Sequence, residues 1–140
     1  MRYWDASALV PLVIAEPQSE RVRGWLEEDS SIVTWGWTRV ELVGAVERRY
    51  RQGSLTRLQR RACLEQFASL AVRWDEVTDL HSVRSRAIPL LARHSIRAAD
   101  AAQLGAALLV SEDDPSSLRF MCLDERLAEA ADREGLVVVS

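Results

Sequence analysis

The sequence contains no lysine: all 18 of its basic residues are arginine. That excludes chemistry that depends on an ε-amino group, including a Walker A lysine, a Schiff base and the lysine that phosphotransfer sites place beside an aspartate. The six glycines (Gly24, Gly36, Gly44, Gly53, Gly105 and Gly135) are scattered, so no glycine-rich loop cradles a phosphate or dinucleotide. Histidine is nearly absent, and His81 and His94 stand too far from either cysteine to make a structural zinc site. No Gly-x-Ser-x-Gly elbow supports a serine triad. Cys63 and Cys122 form no Cys-x-x-Cys pair and sit in apolar surroundings, the usage of a reduced, cytoplasmic chain. The longest apolar run, Ala8 to Ala15, is too short to span a bilayer, and the opening Met-Arg-Tyr-Trp-Asp is no signal peptide.

What is present is ordinary globular material: 140 residues, 48% hydrophobic and 28% charged, suited to one domain over residues 1–140. Charge is unevenly spread. Residues 39–61 carry seven arginines against Glu41 and Glu47, whereas residues 111–140 carry eight acids against three arginines. Such a basic segment in a mildly acidic chain suits an anionic partner, and serves equally well as a solvated helix face.

The pattern predicts strands at Arg2–Trp4, Ser31–Trp35, Trp74–Thr78, Leu118–Leu123 and Leu136–Val139. Helices are expected over Ser7–Ala15, Gln18–Glu28, Thr38–Arg51, Arg57–Arg73, Leu80–Arg93 (broken or kinked before Pro89), Ala98–Val110 and Glu125–Glu134. Thr38 and Glu41 have capping-box spacing, and Thr56 is placed to cap the next helix. Strands alternating with helices imply an α/β fold: a three-layer α/β/α sandwich on a short, mostly parallel sheet. The last strand reads as buried on both faces because it is apolar throughout.

Carboxylates are the chemical tools that remain. Asp5 and Asp124 each follow a short apolar strand and precede a helix, where a parallel sheet opens its ligand crevice and where an aspartate also caps a helix. Glu41 shares a helix face with Trp37, Gly44 and Ala45, and Asp100 shares one with Ile96, Gln103, Leu104 and Ala107. Unpaired acids on such apolar faces are costly, although a capping box and a helix dipole would account for each singly. Gathered together, four carboxylates would repel one another unless a cation neutralised them. Oxygen-only ligands select Mg²⁺ or Mn²⁺, and such an ion can activate water at a phosphorus centre.

The blocks Asp5-Ala6-Ser7-Ala8-Leu9, Thr38-Arg39-Val40-Glu41-Leu42, Arg97-Ala98-Ala99-Asp100-Ala101-Ala102-Gln103-Leu104 and Phe120-Met121-Cys122-Leu123-Asp124-Glu125-Arg126-Leu127 resemble the PIN-domain nucleases. Within these the chain looks most like the VapC-type toxins of prokaryotic toxin–antitoxin pairs. The resemblance spans nearly the whole chain. It implies a metal-dependent endoribonuclease in which Asp5, Glu41, Asp100 and Asp124 hold Mg²⁺ or Mn²⁺, with Ser7 in support. It also implies a homodimer silenced by a cognate VapB-type antitoxin. Cys122 departs from the family, which commonly has Thr or Ser there, and a thiol is the poorer hydrogen-bond donor.

Arg39, Arg48 and Arg49 are the candidates for RNA or antitoxin contact, and Trp35 or Trp37 for stacking on a base. Two other readings stand beside this one: a housekeeping RNA-processing nuclease without an antitoxin, and a non-catalytic α/β binding module whose acids are only caps.

Overall fold

The structure is a computed structural model that describes all 140 residues. Five parallel strands, β1 (Arg2–Trp4), β2 (Val33–Trp35), β3 (Asp75–Val77), β4 (Arg119–Met121) and β5 (Val137–Val139), form one sheet in the order β3-β2-β1-β4-β5. Seven α-helices connect them: α1 (Ala6–Val13), α2 (Ser19–Glu28), α3 (Thr38–Arg51), α4 (Arg57–Ala71), α5 (Leu80–Arg93), α6 (Ala98–Val110) and α7 (Glu125–Arg133). The three-layer α/β/α sandwich expected from the alternation is present.

Side-chain alternation along the strands divides the interior in two. Trp4 and Met121 point to the α1–α4 side and pack with Leu9, Leu12, Leu42 and Leu70. Tyr3 and Phe120 point to the α5–α7 side with Leu90, Leu104 and Leu127, and their rings stack at 5.6 Å. The chain builds outward from β1 through β2 to β3, then returns to the other side of β1 at β4. That reversal falls between β1 and β4, and the carboxyl ends of the strands at such a point are where open α/β sheets have their ligand crevice.

Three local expectations differ from the structure. β5 is an edge strand, paired only with β4, and Val137 is 44% exposed, so an apolar run here does not mean burial on both faces. α5 continues through Pro89 without a break, with the proline on its exposed side and Val83 and Leu90 buried in the core. The two helices of the α5–α6 hairpin approach closely at Gly105, where a Cβ would lie 2.9 Å from the Val83 carbonyl oxygen. Finally, Thr38 does not cap α3: Trp37 occupies that position without a side-chain bond, and Thr38 is turned into the core. The cap expected at Thr56 does form, and Gln59 completes it as a capping box. No helix is long and apolar enough to cross a membrane.

Candidate active site

Asp5 stands directly after β1 and its side chain caps α1 by accepting the Ser7 N–H at 3.0 Å. Asp124 follows β4 and caps α7 by accepting the Leu127 N–H at 2.9 Å. Both are therefore true helix caps, and both also stand at the crevice. Ser7 ties them together. Its hydroxyl donates to Asp5 Oδ2 at 2.5 Å and accepts the backbone N–H groups of Leu123 at 2.9 Å and Asp124 at 3.2 Å. Cys122 Sγ lies 3.6 Å from Ser7 Oγ, 3.7 Å from Asp5 Oδ2 and 3.4 Å from the Asp124 carbonyl oxygen, so the thiol fills the position beside this clamp with bonds weaker than a hydroxyl would make. Burial holds its ionisation far above the ordinary thiol range, which makes it an inert occupant.

Glu41 and Asp100 arrive from the helices. Glu41 Oε2 accepts from Gln103 Nε2 at 2.7 Å, and Asp100 Oδ2 accepts the Arg97 N–H at 3.4 Å in the first turn of α6. Each of the four acids is thus held through one oxygen: Asp5 and Asp100 by Oδ2, Asp124 by Oδ1 and Glu41 by Oε2. The second oxygen of each lies outside these bonds.

Three of the four acids are raised by burial and by a neighbouring acid's charge. Burial, with a smaller push from the charge of Asp100, raises Asp5 to about 6 against the opposing hydrogen bonds from Ser7. Glu41 is pushed to about 7, first by desolvation, then by Asp5 and Asp100 against the Gln103 bond. Asp100 is raised by burial and by Asp124. None of the four is ion-paired with an arginine, whereas eight arginine–carboxylate pairs form elsewhere in the molecule. Asp5, Glu41 and Asp100, each raised and each facing the charge of a neighbouring acid without an ion-paired arginine, carry an unmet demand for positive charge. Its all-oxygen donor set suits a hard divalent ion such as Mg²⁺ or Mn²⁺. As the side chains stand, no three of them converge into a ready-made metal cage, so an ion would have to draw their second oxygens inward.

The arginine candidates lie apart from these bonds. Arg39 is ion-paired with Glu76 and its guanidinium lies 5.4 Å above the Trp74 ring. Arg49 is ion-paired with Glu16, while Arg48 is exposed and makes no ion pair. Of the two tryptophans, Trp35 is buried and Trp37 is 60% exposed, one helical turn before Glu41. The residue that the sequence did not single out is Gln103, fully buried beneath Glu41. Its signal was a lone amide on the apolar face of an alanine-rich helix.

A family model described as the PIN domain matches residues 2–132. The chain belongs to the PIN family. PIN domains are generally nucleases. Among solved structures, this PIN domain is similar to FitAcB from Neisseria gonorrhoeae, with a TM-score of 0.69 and 20% identity, covering 100% of this chain and 97% of the other. It is also similar to PAE2754 from Pyrobaculum aerophilum, with a TM-score of 0.60 and 19% identity, covering 98% of this chain and 87% of the other. At these identities the likeness establishes the fold. No curated protein matches by sequence.

Proposed function

We propose that residues 1–140 act as one nuclease domain, a metal-dependent endoribonuclease that serves as the toxin of a VapBC-type toxin–antitoxin pair. The observation that carries the reading is the unbalanced carboxylate cluster at the strand-order reversal of a PIN fold. Capping alone does not account for it, because Glu41 caps nothing and is bonded only to Gln103.

In this reading Asp5 and Asp100 hold Mg²⁺ or Mn²⁺ directly, and Glu41 and Asp124 complete the set. When bound, the ion would lower the pKa of a water and neutralise charge developing on the phosphorus centre. Ser7 fixes the spacing of the two strand-end acids by bonding Asp5 and the backbone before and at Asp124. Trp37 offers an exposed ring one turn from Glu41 on which an unpaired base can stack. Arg48 is free to meet a backbone phosphate, whereas Arg39 and Arg49 would first have to leave Glu76 and Glu16. The resemblance to VapC-type toxins supports the remaining parts of the proposal: a cognate VapB-type antitoxin, a homodimer and a cytoplasmic location.

Cleavage of a structured RNA pool tests the enzymatic part. Wild type is expected to cut internally with Mg²⁺ or Mn²⁺ and to stop in EDTA, and Asp100→Ala is expected to be inactive in both. Metal-independent cleavage, or equal activity in Asp100→Ala, would remove the carboxylate mechanism. Inducing the chain in cells with and without its neighbouring gene tests the toxin part. Growth arrest relieved by the neighbour supports it, and unhindered growth with the chain alone counts against it.

A further inference from the structure

Beneath the crevice lies a set of polar side chains that the carboxylate chemistry does not by itself require. Tyr3, Thr34 and Thr38 are 0% exposed and Gln103 is 1% exposed, all inside the core. Burying polar groups is unfavourable unless every donor and acceptor is matched. Here they are matched, and the direction of each bond can be assigned.

Thr34 Oγ1 donates to the Trp4 carbonyl oxygen at 2.7 Å, which uses its one hydrogen. The 2.8 Å contact between Thr34 and Thr38 must then be donated by Thr38. With its own hydrogen spent, Thr38 Oγ1 can only accept, and it accepts from Gln103 Nε2 at 2.9 Å. Because Thr38 can only accept, the amide end that meets it is nitrogen, and the Tyr3 hydroxyl donates to Gln103 Oε1 at the other end at 2.6 Å. Gln103 Nε2 therefore has one hydrogen on Thr38 and its second on Glu41 Oε2 at 2.7 Å. The chain has one consistent hydrogen ordering, and its one exit from the core is the bond to Glu41.

The network joins β1, β2, α3 and α6, the four elements that meet above the carboxyl ends of the central strands. Asp100 sits one helical turn before Gln103 on the same face of α6. A shift of α6 would therefore move Asp100 and the anchor of Glu41 together.

We infer that Gln103 is a positioning residue: its amide, locked end-for-end by Tyr3 and Thr38, holds Glu41 by Oε2 and sets where the other carboxylate oxygen is presented. The inference rests on the nuclease reading for its kinetic consequence, and has a second consequence in metal affinity that does not require catalysis. A carboxylate at position 103 could still accept from Tyr3 but could not donate to Glu41. An apolar side chain there would leave Glu41 free to turn.

The test is a cycle of Gln103→Met, Gln103→Glu, Glu41→Ala and the double substitution Glu41→Ala with Gln103→Met. Each is measured for kcat and KM on RNA, for Mn²⁺ affinity by the electron paramagnetic resonance of free Mn²⁺, and for Tm. Gln103→Met and Gln103→Glu are expected to lower kcat and weaken Mn²⁺ binding by about 10–100-fold, with KM within twofold. On the Glu41→Ala background Gln103→Met is expected to change neither further, because the residue it acts through is gone. Tyr3→Phe, which keeps the ring and releases the amide, is a gentler variant should Gln103→Met fail to fold, and is expected to give a smaller loss in the same direction. Equal proportional losses on both backgrounds would overturn the inference, leaving Gln103 a packing residue. So would folded variants with wild-type Mn²⁺ affinity. A wild type that binds Mn²⁺ without cutting RNA removes the nuclease reading and leaves the Mn²⁺ cycle to decide Gln103. A wild type that binds none overturns both.

Discussion

The two acids at strand ends and the two acids on helices reach the same crevice by different routes. Asp5 and Asp124 are placed locally: each caps the helix that follows it, and Ser7 spaces them. Glu41 and Asp100 depend on how α3 and α6 are seated, and Glu41 has no local partner at all. A site built from both kinds is precise only if the sheet edge and the helix layer hold a fixed relation. The buried bonds from Trp4 through Thr34, Thr38 and Gln103 to Glu41 connect the two.

The comparison breaks most sharply at Asp5. Asp5→Asn retains a cap and a hydrogen-bond acceptor but removes a charge whose pKa is raised from 3.8 to about 6 in the fold. Cleavage is expected to fall by at least ~10²-fold. The metal-free protein at pH 8 is expected to gain about 2–3 kcal/mol, seen in urea unfolding, because each tenfold change in proton affinity between the folded and unfolded chain corresponds to about 1.4 kcal/mol. Unchanged cleavage and unchanged stability in Asp5→Asn would mean that Asp5 is only a cap.

Gly105→Val perturbs the helix pair and spares the strand ends. A Cβ at Gly105 would lie 2.9 Å from Val83 oxygen and 3.1 Å from Ala87 nitrogen, so α6 must move off α5. A stability loss of about 1–3 kcal/mol is expected, with activity falling further than the stability change alone explains. The caps at Asp5 and Asp124 are expected to remain, measurable as unchanged amide protection at Ser7 and Leu127.

Much of this was legible from the chain. The strand–helix alternation gave the layers, and acids just beyond the first and fourth strands, Asp5 directly and Asp124 three residues on, pointed to the carboxyl end of the sheet, because both are local patterns. Thr38 and Glu41 misled as a capping box: their spacing satisfies the local rule, but Thr34 and Gln103 supply better partners from 4 and 65 residues away from Thr38. Gln103 stayed silent for the same reason, since its partners Tyr3, Thr38 and Glu41 meet it only after the sheet is ordered. β5 was misplaced because an apolar strand at an edge and one in the middle look alike until pairing is known. The arginine segment could not be sorted either: its ion pairs with Glu76 and Glu16 join distant parts of the chain.

The pH response sharpens the contrast between the crevice acids and the rest. Asp5 and Glu41 are raised to about 6 and about 7, so the folded state binds protons more tightly than the unfolded chain. Metal-free stability is expected to fall as pH rises from about 4 to about 7 and then level off. Glu47, lowered by its bond from Arg60, and Asp79, lowered by Ser82, act oppositely: their contribution is present above the ordinary carboxylate range and is lost at lower pH. Asp5→Asn should flatten the decline, as followed by Tm across buffers. A wild-type curve that rises through that window would contradict the electrostatic account.

Two smaller effects separate capping from chemistry. Asp124→Ala is expected to cost about 1 kcal/mol through α7 and Asp124→Asn little, yet both should lose cleavage. Trp37→Ala is expected to leave Tm within about 2 °C, since the ring is exposed, while raising KM for single-stranded RNA by about tenfold. Trp37→Phe is expected to recover most of that affinity, and failure to recover it would argue for a role other than stacking.

The most direct measurement of the central claim, that these four acids jointly require a divalent cation, is thermal melting of metal-free wild type and Asp5→Asn during titration with Mn²⁺ at pH 7.5. Wild type is expected to start below Asp5→Asn, then rise by about 10 °C as Mn²⁺ reaches 100 times its dissociation constant, while Asp5→Asn barely responds. Identical Mn²⁺ responses in the two proteins, or none in wild type, would contradict it and return the four carboxylates to the role of caps and surface charge.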